Sequence, residues 1–248
     1  MDSKRRFSKR AEYYAAYRPK YPNMLLNCLE SQLSFSRRSI VADIGSGTGI
    51  LTELLLKNGN AVFGVEPNED MRRVAEAKLL HYPRFKSVDG SAESTTLGSN
   101  SVDFITAGQS FHWFRLREAR AEFRRILRVN GWVVLIWNTR KTSTPFLLRY
   151  EEFVNWIAGE KRVKHEDLTD ATISQFLGKY RKFKLDNSQQ LDLRGVIGRV
   201  LSASYTPLPG EPMHAEFVKR ATDLFYRYQH NGTVRLEYCT EVYAGQLT

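Results

Sequence analysis

The run Val41-Ala42-Asp43-Ile44-Gly45-Ser46-Gly47-Thr48-Gly49-Ile50 carries the densest chemical information in the chain. An apolar strand ends on an acid, three glycines follow at every second position, and a helical pattern opens directly behind them. Such a turn at the carboxyl edge of a parallel strand lets the backbone approach a nucleotide that any Cβ would push away. The N-terminus of the following helix then faces the ligand. The spacing D-x-G-x-G-x-G departs from the dinucleotide fingerprint G-x-G-x-x-G, whose third glycine would fall where Ile50 stands. A second acid, Glu66, closes the next apolar strand, where a carboxylate can accept both hydroxyls of a ribose. Further on, Gln109-Ser110-Phe111-His112-Trp113-Phe114 sets one histidine just past a strand. Imidazole titrates near neutrality, so His112 is the candidate general base for a hydroxyl or amine; the plainer alternative is a side chain that shapes a pocket. The other histidines, His81, His165, His214 and His230, lack metal-ligand spacing, and no metal is expected.

The elements that must position these residues alternate in type. Ser39 to Asp43, Ala61 to Val65, Phe85 to Val88, Ser101 to Ala107 and Trp132 to Trp137 read as strands. Helices are expected between them over Leu51 to Lys57, from an N-cap at Asn68 through about Leu80, and over Arg115 to Arg128. The almost unbroken apolar run Trp132 to Trp137 suits a strand covered on both faces. The second half is less regular. Helices are expected over Pro145 to Ala158, Thr172 to Leu177, Arg194 to Leu201 and Ala215 to Gln229, and strands over Phe183 to Leu193 and Thr233 to Tyr243. No repeat, low-complexity run or long linker breaks the chain, so one domain is expected: residues 1–30 a lid, 38–138 a cofactor-binding core, 139–232 substrate-shaping insertions and 233–244 a final strand.

The glycine turn with its preceding acid resembles the first motif of the class I S-adenosylmethionine-dependent methyltransferases. The "QSFHWF" segment and Tyr14-Ala15-Ala16-Tyr17-Arg18-Pro19-Lys20-Tyr21-Pro22 are similar to a type 11, trans-aconitate methyltransferase-like subgroup acting on small molecules. The resemblance covers residues 13 to 138 well. It implies a Rossmann-like, doubly wound α/β fold: a seven-stranded, mostly parallel sheet with an antiparallel last strand, an N-terminal lid and helical insertions. It implies S-adenosyl-L-methionine as cofactor, held by Asp43, Gly45, Ser46, Gly47, Gly49, Glu66, Pro67 and Met71. Ser91, Ala92 and Glu93 would lie along the adenine, with Ser91 standing where many relatives carry an acid. Gln109 would follow, and Tyr14 and Arg18 would approach the cofactor's carboxylate. Tyr17, His112, Trp113, Trp137, Arg140 and Tyr205 are the expected acceptor pocket. Trp113, Tyr14 and Tyr17 could also face the sulfonium.

Composition bounds the alternatives. With 248 residues, 42% hydrophobic and 26% charged, the chain is an ordinary globular one. The two cysteines, Cys28 and Cys239, make no disulfide framework, which suits a reducing cytoplasm. The charged first ten residues have no apolar centre and no run of eighteen apolar residues occurs, so neither a secretory signal nor a membrane partner is expected. A formal net charge of +10 favours an anionic acceptor. It also allows nucleic-acid methylation through Lys4-Arg5-Arg6, Arg124-Arg125 and Lys179 to Lys184. That reading is disfavoured because the basic residues are scattered and the fourth strand ends in aromatics rather than a base-flipping motif. A cofactor-binding module without turnover and a nicotinamide dehydrogenase are the remaining alternatives, the latter opposed by Ile50. Both a monomer and a homodimer fit the sequence.

Overall fold

The computed structural model describes residues 10–159 and 169–247. The expected basic run Lys4-Arg5-Arg6 and His165 lie outside them. The chain runs α1 (Ala11–Tyr17), α2 (Met24–Leu33), β1 (Ile40–Ile44), α3 (Ile50–Asn58), β2 (Ala61–Val65), α4 (Glu69–Leu79), β3 (Phe85–Val88) and β4 (Val102–Gly108). It continues through a 3₁₀ turn at Phe111–Trp113 to α5 (Leu116–Ile126), β5 (Leu127–Arg140), α6 (Pro145–Ala158), α7 (Asp170–Leu177), β6 (Tyr180–Leu191), α8 (Leu193–Leu201), α9 (His214–Tyr228) and β7 (Val234–Gly245). The strands form one seven-stranded sheet in the order β3-β2-β1-β4-β5-β7-β6. β1 to β5 are parallel, and β7 runs antiparallel to both of its neighbours. Strand order reverses at β1, which lies between β2 and β4, so the crevice beyond its carboxyl end is where a doubly wound sheet places its ligand.

Each sheet face is closed by its own helices. Leu25, Leu29 and Leu33 of α2, Leu51, Leu55 and Leu56 of α3, and Ala75 and Leu79 of α4 pack on Val41, Val62, Phe104, Val134 and Ile136. On the opposite face, Ala119, Phe123 and Ile126 of α5 and Ile173, Phe176 and Leu177 of α7 pack on Ala42, Ile44, Ile105, Val133 and Leu135. The alternation of these strand residues between faces is the period-two rule acting on strands buried on both sides. α2, expected inside a lid, is therefore a core helix. The segment above the crevice is α1 and the chain from Arg18 to Pro22.

The last three strands in the chain, β5, β6 and β7, differ from expectation at their ends. β5 begins at Leu127, which pairs with Val102, and an irregularity then shifts the register to Phe104 opposite Trp132. Asn130, at φ +64°, absorbs the extra residues in a left-handed turn before Gly131, so the helix stops at Ile126 rather than Arg128. β6 starts at Tyr180, and Asp192, expected within it, instead caps α8 by accepting from Gly195 N at 2.7 Å. As a result β5, β6 and β7 outreach the other strands. Their extensions (Arg140, Leu191, Val234, Leu236 and Tyr238) carry a third apolar cluster built from α6, α8 and α9. This cluster stands beside the crevice as a cap.

Candidate functional site

The turn after β1 is built to leave space. Gly45, Gly47 and Gly49 all have φ between +56° and +78°, a region that disfavours side chains. A Cβ at Gly45 would meet Ser110 Cβ at 2.5 Å, so the turn sits directly on the β4 end. A Cβ at Gly47 would meet nothing within 4 Å, so the turn opens there onto free space. Ser110 Oγ donates to Ile44 O at 2.8 Å and locks this contact. Thr48 Oγ1 is buried in the same turn with no hydrogen-bond partner among the described residues. Ser46 N donates to Val65 O at 3.2 Å. Asp43 points inward, with Thr52 Oγ1 donating to its Oδ2 at 2.6 Å and Thr106 Oγ1 to its Oδ1 at 2.9 Å. It thereby pins α3 and β4 to β1. Burial pushes its carboxyl up to about 6 against the pull of those threonines.

Glu66 leaves β2 into the same crevice and is 8% exposed. Gly47 N donates to its Oε2 and Asn68 N to its Oε1, both at 2.9 Å. One lone pair on each oxygen is thus fixed, and one remains for a ligand hydroxyl. Burial raises its proton affinity, opposed by the two amides and then by Arg72, whose Nη1 donates to Glu66 O at 2.8 Å. Asn68, as the sequence indicates, caps α4 by accepting from Met71 N at 2.9 Å, and Met71 is buried in the first helical turn. Pro67 bridges the two. Past β3, Ser91 and Ser94 pair through both backbone amides, and Ala92 is buried. Glu93 is directed to the Arg115 amide at 2.8 Å. Burial works against its ionisation, but this hydrogen bond and that of Ser91 hold its carboxyl below the usual range. The open face of Gly47, the lone pairs left on Glu66 and the buried Thr48 Oγ1 fit the hydroxyls and polar groups of S-adenosylmethionine.

The remaining predicted residues fall into two groups. Gln109 follows β4 at φ +59° and donates through Nε2 to Asn138 O at 3.4 Å, a strained backbone next to the crevice. His112 is half-buried, its ring 4.8 Å from that of Trp113. Trp137 is enclosed between Phe111 and Tyr243, so its ring belongs to the aromatic core under the crevice. On the cap side the lid brings Tyr14, Tyr17 and Arg18 over α8. Arg18 lies 4.7 Å from the Tyr14 ring and donates to Ser202 O at 3.2 Å. Arg140, at the end of β5, pairs with Glu151 of α6 at 2.8 Å. Burial and the Arg199 charge lower the Arg18 proton affinity, opposed by Tyr14 and Tyr205. Tyr21 is half-buried, and a Cβ on Gly108 at the end of β4 would meet its Oη at 2.4 Å; burial is the main cause of its raised proton affinity, with Tyr14 and Asp43 adding to it and Arg18 opposing. Sequence reasoning missed Thr48, Ser110, Tyr150, Arg199 and Tyr238. Thr48 and Ser110 lie inside motifs already quoted; the other three have only core-like spacing. A surface recess of about 630 Å³ between α6 and α9, lined by Trp156 and Arg220 among others, includes none of these residues.

A methyltransferase domain model matches residues 42–135. Among curated relatives, an uncharacterized methyltransferase of Schizosaccharomyces pombe is 31% identical over 59% of this chain and 57% of its own. One of Mycobacterium bovis is 35% identical over 57% of this chain and 55% of its own. The chain spans a little over half the length of these relatives. A solved structure from Anaeromyxobacter dehalogenans, described as a candidate type II methyltransferase, superposes with a TM-score of 0.70 at 21% identity, over 93% of this chain and 98% of that one. The YcgJ protein of Bacillus subtilis gives 0.57 at 17% identity, over 91% and 99%. These two likenesses are of the fold alone.

Proposed function

We propose that the chain, whose residues 42–135 match a methyltransferase domain model, is a class I methyltransferase that transfers a methyl group from S-adenosylmethionine to a small-molecule acceptor held under the lid. The observation that carries this reading is the Glu66 carboxylate, fixed by two backbone amides beside the open face of Gly47. S-adenosylmethionine, when bound, supplies a methyl already activated by its positively charged sulfur. The chain's own work is then to hold and orient. Glu66 accepts the two ribose hydroxyls. The turn from Gly45 to Gly49 and the α3 N-terminus border the amino-acid end, and Ser91 and Ala92 border the adenine. Tyr14, Tyr17 and Tyr21 of the lid exclude water, so that proximity supplies several kcal/mol of the barrier. His112 is the group that would take a proton from a hydroxyl or amine; a carboxylate acceptor delivers none.

The basic runs among the described residues speak against nucleic acid. Arg125 is held by Glu122 at 2.7 Å, Arg181 lies over the Trp132 ring at 5.4 Å, and Lys182 lies within 3.5 Å of Asp170. Titration calorimetry with S-adenosylmethionine tests the reading. The parent chain should bind, and Glu66→Ala should weaken binding by about tenfold or more, the worth of one charge-assisted pair. Absence of heat with the parent chain, or equal affinity for the variant, would refute it.

A further inference from the structure

The sheet face that carries α2 and α3 changes character where the lid crosses it. Val134, Ile136 and Val242, with Phe183 and Leu185 beside them, pack under those helices. The next positions on the same face are Asn138 of β5, Thr240 of β7, and Asn187 and Gln189 of β6. What lies against them is residues 18–22, a stretch without regular structure in which Pro19 and Pro22 have no N–H to offer. Such a stretch cannot join the sheet as a further strand, and its covered carbonyls need side-chain donors. Gln189 Nε2 donates to Tyr17 O at 2.9 Å, and Asn187 Nδ2 to Lys20 O at 2.8 Å. Asn138 Nδ2 adds a longer bond to Lys20 O at 3.4 Å.

Asn187 is the junction of this clasp. The amide nitrogen that holds Lys20 O also donates to Asn138 Oδ1 at 3.2 Å. Thr240 Oγ1, on a fully buried residue, donates to the same oxygen at 2.6 Å and so fixes how the Asn138 amide is turned. Asn138 O in turn accepts from Gln109 Nε2 at 3.4 Å, at the strained residue beside the crevice. On the lid side, the carbonyl held is the one directly before Tyr21, whose ring lies against Gly108 at the end of β4. We propose that Asn187 is a positioning residue: through Lys20 O it keeps residues 18–22 shut over the crevice and sets how fast the cofactor is exchanged. The exchange step rests on the methyltransferase reading of the same site, whereas the clasp is read without any ligand. The contacts are local and polar, so their loss opens the lid segment without unpacking the apolar faces beneath it.

Trypsin tests the clasp on the full chain. Arg18 is followed by Pro19, which blocks cleavage there, so within residues 18–22 only the Lys20–Tyr21 bond is open to it. Cleavage of a transiently opened segment tracks its open population. Asn187→Ala removes the donor, and Asn187→Asp keeps the shape but turns an anionic oxygen on Lys20 O and Asn138 Oδ1. Both should speed cleavage after Lys20, followed by mass spectrometry, about fivefold or more, the worth of one net hydrogen bond. Ile126→Val, in the core on α5, lowers global stability by a similar amount but should leave that rate near the parent's, because the lid opens with the core intact. S-adenosylmethionine should also leave the Asn187 variants about fivefold faster in stopped-flow dilution. The proposal is overturned if cleavage after Lys20 is unchanged in both variants, if Ile126→Val speeds it as much as they do, or if it rises while cofactor dissociation stays level. Should Asn187→Asp fail to fold, Asn187→Ala decides. A parent chain that binds no S-adenosylmethionine sinks the methyltransferase reading and the exchange step with it, while the cleavage comparison decides the clasp alone.

Discussion

Asp43 and Glu66 are both buried acids at strand ends, yet their partners give them opposite tasks. Glu66 is ligated by backbone amides and keeps lone pairs for a ligand, whereas both Asp43 oxygens are taken by Thr52 and Thr106. The Asp43 carboxyl, moved from 3.8 to about 6, is better protonated in the folded chain than in the unfolded one. A raised carboxyl contributes stability that is present below its unfolded value and is lost as pH rises through about 6, an effect on the order of 3 kcal/mol. Asparagine copies the protonated acid, with one donor and one acceptor for the two threonines. Asp43→Asn should therefore match the parent melting temperature near pH 4 and gain on it as pH rises to about 7. Melting curves of both chains across that window check this, and parallel curves would remove Asp43 as the titrating group. The same pair shows how much a sequence can say at this scale. The acid before the glycines and the acid after β2 are legible as types at positions. Which of them faces a ligand depends on Thr106, sixty-three residues from Asp43, and only the fold supplies that neighbour.

At the scale of elements, the cap is what the sequence left open. The core strands and helices announce themselves by unbroken apolar runs and by Asn68 and the glycines, because each is buried on a face that its own period reveals. The lid and α8 instead depend on the close approach of Tyr17 to Gly198. A Cβ on Gly198 of α8 would lie 2.4 Å from carbons of the Tyr17 ring, and nothing local marks either residue for it. The same holds for Arg199, whose place beside Tyr238 depends on β7 crossing next to β5. In an ordinary helix interior Gly→Ala stabilises by up to about 1 kcal/mol. Gly198→Ala should do the reverse here, displacing Tyr17 and with it Arg18, so that the melting temperature falls and cofactor affinity drops about tenfold. In a Tyr17→Ala background the same change should become stabilising. A double-mutant cycle reads the difference, and a stabilised Gly198→Ala with unchanged affinity would show that the lid does not rest on α8.

Over the whole molecule the charge is lopsided, with 37 Lys and Arg against 27 Asp and Glu. Many surface cations are spent locally, as in Lys219–Asp223 at 2.8 Å and Arg220–Glu216 at 2.6 Å, and such exposed pairs add little stability. The net field survives this pairing, because pairing cancels neighbours and leaves the excess. Its reach is about a Debye length, so it acts on approach rather than on the bound state. An organic acid drawn toward the lid would feel it, and a neutral acceptor would not. Raising NaCl from about 0.05 M to about 0.5 M should lower kcat/KM for an acidic acceptor several-fold while leaving kcat nearly level, since the buried guanidiniums are screened far less than the surface. A single-stranded RNA of about 20 nucleotides should lose whatever binding it shows over the same range and take up no methyl, because a phosphate-tracking surface shows itself in a steep salt slope. Stopped-assay initial rates at graded salt measure the first, and anisotropy with methyl incorporation the second. A salt-insensitive kcat/KM would take the long-range field out of acceptor capture. RNA that stays bound at high salt and is methylated would move the proposed acceptor from small molecules to nucleic acid.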